Sequence, residues 1–324
     1  MPLEFDPEYK QASEALLSQF AGAPPPKVHD VHARRTGSDV VFAAIAAATP
    51  DPDSSLGQVD VSEHKHALDD GTEISVHRFV KRDSGPSNPP AILHCHGGGM
   101  IMGSVPLNRK FLENQVLATG VQVFSVEYRL APEYPDPIPV EDCYASLVWL
   151  SQHAHEYGVD NTRIAVMGES AGGGLAAGVA LLARDRHFSP PVARQILIYP
   201  MLDDRNTKVN VNLAPWAFWS YEDNITGWTA LLGDKAGAET GVRPYAAAAR
   251  AGSVAGLPPT YIDTGELDIF RDEDIAYAAR LAAADISLEF HLYPGVPHAF
   301  DILAPEIGVT KQAVYNRHRA IARI

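Results

Sequence analysis

From residue 91 onward, short apolar runs alternate with helix-length segments, and that alternation constrains the fold more than any other feature of the chain. The runs at 91–95, 121–127, 163–167, 195–199, 260–264 and 288–293 have strand length. The segments at 107–118, 140–153, 171–184 and 272–283 read as helices, and 305–324 closes the chain as another. In 140–153 the side chains expected to face inward are Tyr144, Leu147, Val148 and Leu150. Strands that are apolar on both faces need cover on both faces, which a parallel sheet flanked by helices supplies. The predicted class is therefore α/β, with a mostly parallel central sheet.

Two regions break the rhythm. Upstream, Ala12, Ala15, Leu16 and Phe20 have helical spacing, ended by Gly22 and Pro24-Pro25-Pro26, and a second helix is expected over 39–48. After Pro50-Asp51-Pro52, the alternation of Val59, Val61 and His64, then Ile74, Val76 and Phe79, predicts an antiparallel strand pair. Downstream, 200–258 holds no clean strand but three of the four tryptophans, Trp216, Trp219 and Trp228, with Phe218 and Tyr221. It reads as a helical insertion.

Composition narrows the function classes. The 324 residues carry 26 Lys+Arg against 40 Asp+Glu, a formal net charge of −14, which repels phosphate backbones and argues against nucleic-acid binding. The two cysteines, Cys95 and Cys143, cannot form a disulfide framework and are expected as buried thiols in a reducing cytoplasm. The first ten residues do not resemble a secretory signal, and the uncharged stretch 170–183 is shorter than the roughly 20 apolar residues that span a bilayer. No membrane anchor is expected.

The sharpest chemical signal is Gly168-Glu169-Ser170-Ala171-Gly172, placed between the strand 163–167 and the helix 171–184. A tight strand-to-helix turn of this kind exposes the serine hydroxyl at the helix N-terminus, whose free amides favour developing negative charge. A phosphate-binding turn is the alternative, but no Lys stands at the P-loop position. The second signal is His96-Gly97-Gly98-Gly99, just after the strand 91–95. Successive backbone N–H groups on such a loop can hold the oxygen of a tetrahedral intermediate. Gly97, Gly98 and Ala171 are the expected oxyanion donors. His94 and His96 could be read as a metal pair, but no further cluster completes a site, so no metal is expected.

A nucleophilic serine needs a base, and the base an orienting carboxylate. Four histidines follow Ser170: His187, His291, His298 and His318. Only His298 lies on a loop at the C-terminal end of a strand, where sites in such sheets gather. For the acid, Asp263 falls within a strand and Asp272 in the first turn of a helix; Asp268 lies just past the strand end and is chosen over Asp272.

Together with Gly103, Tyr128-Arg129-Leu130-Ala131-Pro132-Glu133, Glu141-Asp142 and Pro297-His298-Ala299-Phe300, these motifs resemble the hormone-sensitive-lipase-like esterases, the bacterial family IV of the α/β-hydrolase superfamily. The resemblance spans most of the chain from about residue 91 and implies hydrolysis of carboxylic esters without a cofactor. It also implies a cap built from residues 1–50 and the insertion 200–256, on a catalytic domain of 51–199 and 257–324. Dimers through the edge of the last strand are common in the family. The chain departs from the pattern at three points: Glu169 replaces the usual Asp, Ala299 the usual Gly, and Ile269 a frequent Pro.

Arg129 is expected to pair with a carboxylate and hold its loop. The insertion aromatics either form the core of the cap or wall an acyl pocket, with Trp219 the candidate substrate contact. The expected activity is that of a serine carboxylesterase on short-to-medium-chain esters. Lactone, carbamate, amide or peptide cleavage on the same residues, and a ligand-binding receptor, are the alternatives.

Overall fold

The computed structural model describes residues 3–18, 24–48, 58–68, 70–82 and 89–324. Its centre is one eight-stranded sheet in the order β1-β2-β4-β3-β5-β6-β7-β8. β1 (Val59–Ala67) and β2 (Glu73–Lys81) form the expected antiparallel pair, and β2 runs antiparallel to β4 (Gln122–Glu127). From β4 onward all pairings are parallel, through β3 (Ala91–Cys95), β5 (Ile164–Glu169), β6 (Arg194–Ile198), β7 (Thr260–Gly265) and β8 (Leu288–Tyr293).

Side chains alternate across these strands, so the sheet carries a core on each face. On one face Leu93, Val126, Val166, Leu197 and Ile262 pack beneath α4 (Ile138–His153), α5 (Ala171–Asp185) and α7 (Arg271–Ala283). On the other, Ile92, Val123, Met167 and Ile196 meet α3 (Arg109–Thr119) and α9 (Gly308–Ile321). A short helix, α8 (Phe300–Leu303), precedes α9, so the closing helix begins three residues later than its sequence pattern suggests.

α4 departs from its expected inward set. Leu147 and Leu150 are buried, but Tyr144 and Val148 are only half-buried. Asp142, Cys143 and Ser146 lie deeper, because Arg129 recruits Asp142 and the Ser146 hydroxyl meets His66 at 3.0 Å.

The N-terminal segments also differ. α1 (Pro7–Leu17) buries Tyr9 and Ser13, whereas Ala12 is exposed. Phe20, Gly22 and Pro50-Asp51-Pro52 lie outside the described residues, as do the side chains of Ala15 and Leu16. α2 spans Val31–Ala48, eight residues earlier than expected, and runs straight through Gly37. Glycine inside a helix costs about 1 kcal/mol against alanine. Tertiary anchors in the preceding turn offset it: Arg34 holds Asp223 at 2.8 Å, and Arg35 donates to the carbonyls of Ile101 (2.6 Å) and Ala131 (2.8 Å).

The segment 200–258 contains one α-helix, α6 (Tyr221–Leu232), and short 3₁₀ turns, with no strand. Ser220 and Asp223 form a capping box at its start. The tryptophans separate by environment. Trp228 is fully buried, Trp216 packs edge-on against Phe5 at 4.9 Å, and Trp219 is 9% exposed.

Candidate active site

Ser170 stands between β5 and α5 with φ 57° and ψ −121°, a conformation unfavourable for a side chain that bears a Cβ. Its neighbours show why the turn must be this sharp. A Cβ on Gly172 would stand 1.9 Å from the carbonyl oxygen of Cys95, and one on Gly168 2.2 Å from that of Gly172. Two glycines thus let the turn press against β3. The Ser170 amide donates to the Ile198 carbonyl at 2.9 Å, and its carbonyl accepts from Met201 N at 2.9 Å, so the end of β6 and the loop after it fix the backbone.

Three side chains far apart in sequence converge here. The Ser170 hydroxyl lies 2.9 Å from His298 Nε2, and His298 Nδ1 lies 2.6 Å from Asp268 Oδ2. Asp268 is wholly buried and its Oδ1 accepts from Phe270 N at 2.9 Å. With a carboxylate at Nδ1, that nitrogen carries the proton and Nε2 is left to accept from the serine. The rings of Tyr199 and Phe270 flank the imidazole at 4.8 and 5.0 Å, both edge-on.

The loops bearing Asp268 and His298 are tied together. Glu266 N donates to Tyr293 O (2.8 Å), Leu267 N to Val296 O (3.0 Å), and Gly295 N to the Glu266 carboxylate (3.0 Å). Asp272 is exposed and pairs with its neighbour Arg271, while Asp263 is buried against Arg317. His291 pairs with Glu289, and His318 sits on α9 with its pKa pushed down to about 4 by burial and by Arg317. Ala299, at φ 55°, takes the left-handed conformation that glycine adopts without strain.

The glycine loop lies directly over the serine turn. A Cβ on Gly97 would be 3.0 Å from Glu169 O and 3.5 Å from Ser170 Cβ. The Tyr128 hydroxyl donates to His96 O at 2.8 Å, and the two rings stack at 4.2 Å. His94 and His96 do not converge on a common point. His94 bridges Ser125 Oγ (2.8 Å) and Glu169 Oε2 (2.8 Å), while His96 Nε2 is buried without a partner. Burial accordingly drives the His96 pKa down to about 4. Among the described residues no group of three or more His, Cys, Asp or Glu is arranged to hold a metal, and no helix is long and apolar enough to cross a membrane.

Arg129 makes the expected ion pair, with Asp142 at 2.6 Å, while Glu141 is held by Arg186 at 2.7 Å. Trp219 packs its ring against Gly99. An open cavity of about 320 Å³, lined by Asp203, Asn206, Tyr221, Ile269 and Glu273 among others, lies beside α7 and includes none of Ser170, Asp268 or His298. Cys95 and Cys143 are free and buried. The aromatic flanks of His298, the Glu169–His94 contact and the arginines of α2 were not legible beforehand. Each depends on which strands, helices and loops the fold brings together, and only the carboxylate at 169 gave a local hint.

Comparison with known proteins agrees with this geometry. A family model described as the alpha/beta hydrolase fold matches residues 92–302. Carboxylesterase NlhH of Mycobacterium tuberculosis is 34% identical over 281 residues, 84% of this chain and 85% of the relative. Among solved structures, a bacterial heroin esterase superposes with a TM-score of 0.87 at 36% identity, covering 98% of this chain and 97% of that one. A thermostable esterase from Pseudomonas putida superposes with a TM-score of 0.85 at 26% identity, covering 98% and 97%. The chain belongs to the alpha/beta hydrolase fold family, in its hormone-sensitive-lipase-like branch.

Proposed function

We propose that the protein is a serine carboxylesterase acting on short-to-medium-chain carboxylic esters through an acyl-enzyme. The observation that carries this is the hydrogen-bonded chain Ser170–His298–Asp268, at 2.9 and 2.6 Å. His298 takes the serine proton as Ser170 attacks the ester carbonyl. Asp268 holds the ring in the required tautomer and stabilises the imidazolium. His298 then protonates the leaving alcohol, and water repeats the sequence on the acyl-enzyme.

The amides of Gly97, Gly98 and Ala171 serve as the oxyanion hole. Supporting this, Gly97 packs on the serine turn and Ala171 is the first residue of α5. Residues 1–50 and 200–256 act as a cap on the catalytic domain formed by 51–199 and 257–324. The contacts Arg34–Asp223 and His29 N–Thr226 Oγ1 (2.9 Å) join the two cap pieces. Trp219 walls the acyl pocket from its seat on Gly99, which limits pocket depth and places the optimum at short-to-medium chains. In support of a homodimer through β8, that strand pairs, among the described residues, only with β7. The free thiols of Cys95 and Cys143 suit a reducing cytoplasm.

The test is a profile of kcat/KM on p-nitrophenyl esters of increasing acyl length, with lactone, carbamate and amide substrates beside it, and mass analysis after a fluorophosphonate probe. A rise and fall over short-to-medium esters with an adduct on Ser170 is expected. A lactone or amide preference, or no adduct with no turnover, overturns the reading.

A further inference from the structure

We propose that Arg317, on α9, is a positioning residue for the imidazole of His298, acting through Asp301 and Tyr199. The inference rests on His298 being the base. Arg317 is 2% exposed and its guanidinium holds two carboxylates from two different segments. Its Nε and Nη2 donate to Asp263 at 2.6 and 3.1 Å, and its Nη1 donates to Asp301. Asp263 lies on β7, five residues before Asp268; Asp301 lies on α8, three residues after His298. One rigid fork therefore spans the strand that leads to the acid and the helix that follows the base.

Tyr199 completes the link. Its hydroxyl donates to Asp301 Oδ1 at 2.9 Å, and its ring stands edge-on to His298 at 4.8 Å. Its amide donates to the Asp263 carbonyl at 2.7 Å, and the guanidinium lies 5.4 Å from its ring centroid. The preceding residue, Ile198, accepts the Ser170 amide, so Tyr199 is registered to all three segments of the triad.

Stability alone does not account for this cluster. Buried ion pairs are often matched or exceeded by apolar packing of equal volume, because desolvation cancels much of the attraction. What apolar packing cannot supply is direction. The fork and the phenol hydroxyl fix the angle at which the 298–301 turn presents its ring, which includes a strained left-handed Ala299. Proton transfer between Ser170 and His298 tolerates little misplacement.

The test uses the full chain with Tyr199→Phe, which keeps the ring and removes only the hydroxyl, and Arg317→Lys, which keeps the charge and loses the fork. Sites are counted by phosphonate titration, so that misfolded protein does not enter kcat. Tyr199→Phe is expected to lower kcat per titrated site about tenfold with KM within about twofold. Asp301→Asn is expected to do the same, and the double variant to fall no further than the worse single one, since both break one link. Arg317→Lys should retain more kcat than Arg317→Met wherever the latter folds. Should Tyr199→Phe and Arg317→Lys both keep kcat per site within twofold of wild type, whatever their melting temperatures, the proposal is overturned. His298→Ala separates the two failures: if it too keeps turnover, the base assignment itself has failed.

Discussion

The Trp219 indole lies so close to Gly99 that a Cβ on the glycine would stand 2.5 Å from Cη2 of the ring. Gly99 also has φ 61° and its carbonyl meets Gly227 of α6, where an added Cβ would be 2.9 Å away. The insertion thus rests on the backbone of the glycine loop itself. Gly99→Ala should lower kcat by about 10² through displacement of that loop. In a Trp219→Ala background the same substitution should cost less, because only the backbone strain remains. Trp219→Ala alone should move the acyl-length optimum toward longer chains. Equal loss from Gly99→Ala in both backgrounds would show that the contact does not couple wall and loop.

Ser170→Ala should fold normally, since alanine suffers no more than serine at φ 57°. It should reduce ester turnover by about 10⁴ and abolish the phosphonate adduct. Turnover within tenfold of wild type, with contaminating esterases excluded, contradicts the assignment.

Asp268 and Asp272 are four residues apart but differ in environment: one is sealed against His298, the other is exposed beside Arg271. Asp268→Asn should cut kcat by about 10³–10⁴ through loss of the required tautomer. Asp272→Asn should change it by less than about twofold, with at most a few tenths of a kcal/mol lost at the helix start. Steady-state kinetics on both variants decide the order.

His96 offers a pH test of stability. Its Nε2 faces no acceptor, and burial takes its pKa to about 4 from the ordinary 6.5. On acidification the unfolded chain takes up this proton first, so the folded state gains nothing from it. The contribution is complete above pH 6.5 and is lost progressively as pH falls toward 4, amounting to about 3 kcal/mol. The unfolding free energy of wild type minus that of His96→Asn should therefore shrink between pH 7.5 and 4.5 in urea titrations. A difference that is constant with pH would falsify this account.

Much of the fold was legible because its signals are local. Runs of five to seven residues marked the six strands of the parallel part within two residues of their ends, since β3 to β7 are covered on both faces and have no polar side to blur their limits. The serine turn was legible for the same reason: glycines at 168 and 172 are required by contacts within that turn and with the adjacent strand. Where local pattern and tertiary contact disagreed, the contact prevailed. α2 continues through Gly37 because Arg34 and Arg35 anchor the turn before it, and α4 turns Asp142 inward because Arg129 is waiting there.

By itself, then, the sequence determined the strand–helix alternation, the serine turn, the glycine loop and the few histidines and aspartates able to complete a triad. Tertiary structure alone decided that Arg317 joins Asp263 to Asp301, that Tyr199 and Phe270 flank His298, that Glu169 meets His94, and that Trp219 sits on Gly99. The physical reason is the order of the sheet. Periodicity and turn chemistry act over a few residues and can be read along the chain. Which side chains meet across 54, 75 or 120 positions is set by strand neighbours, and that order appears only when the sheet closes on both its cores.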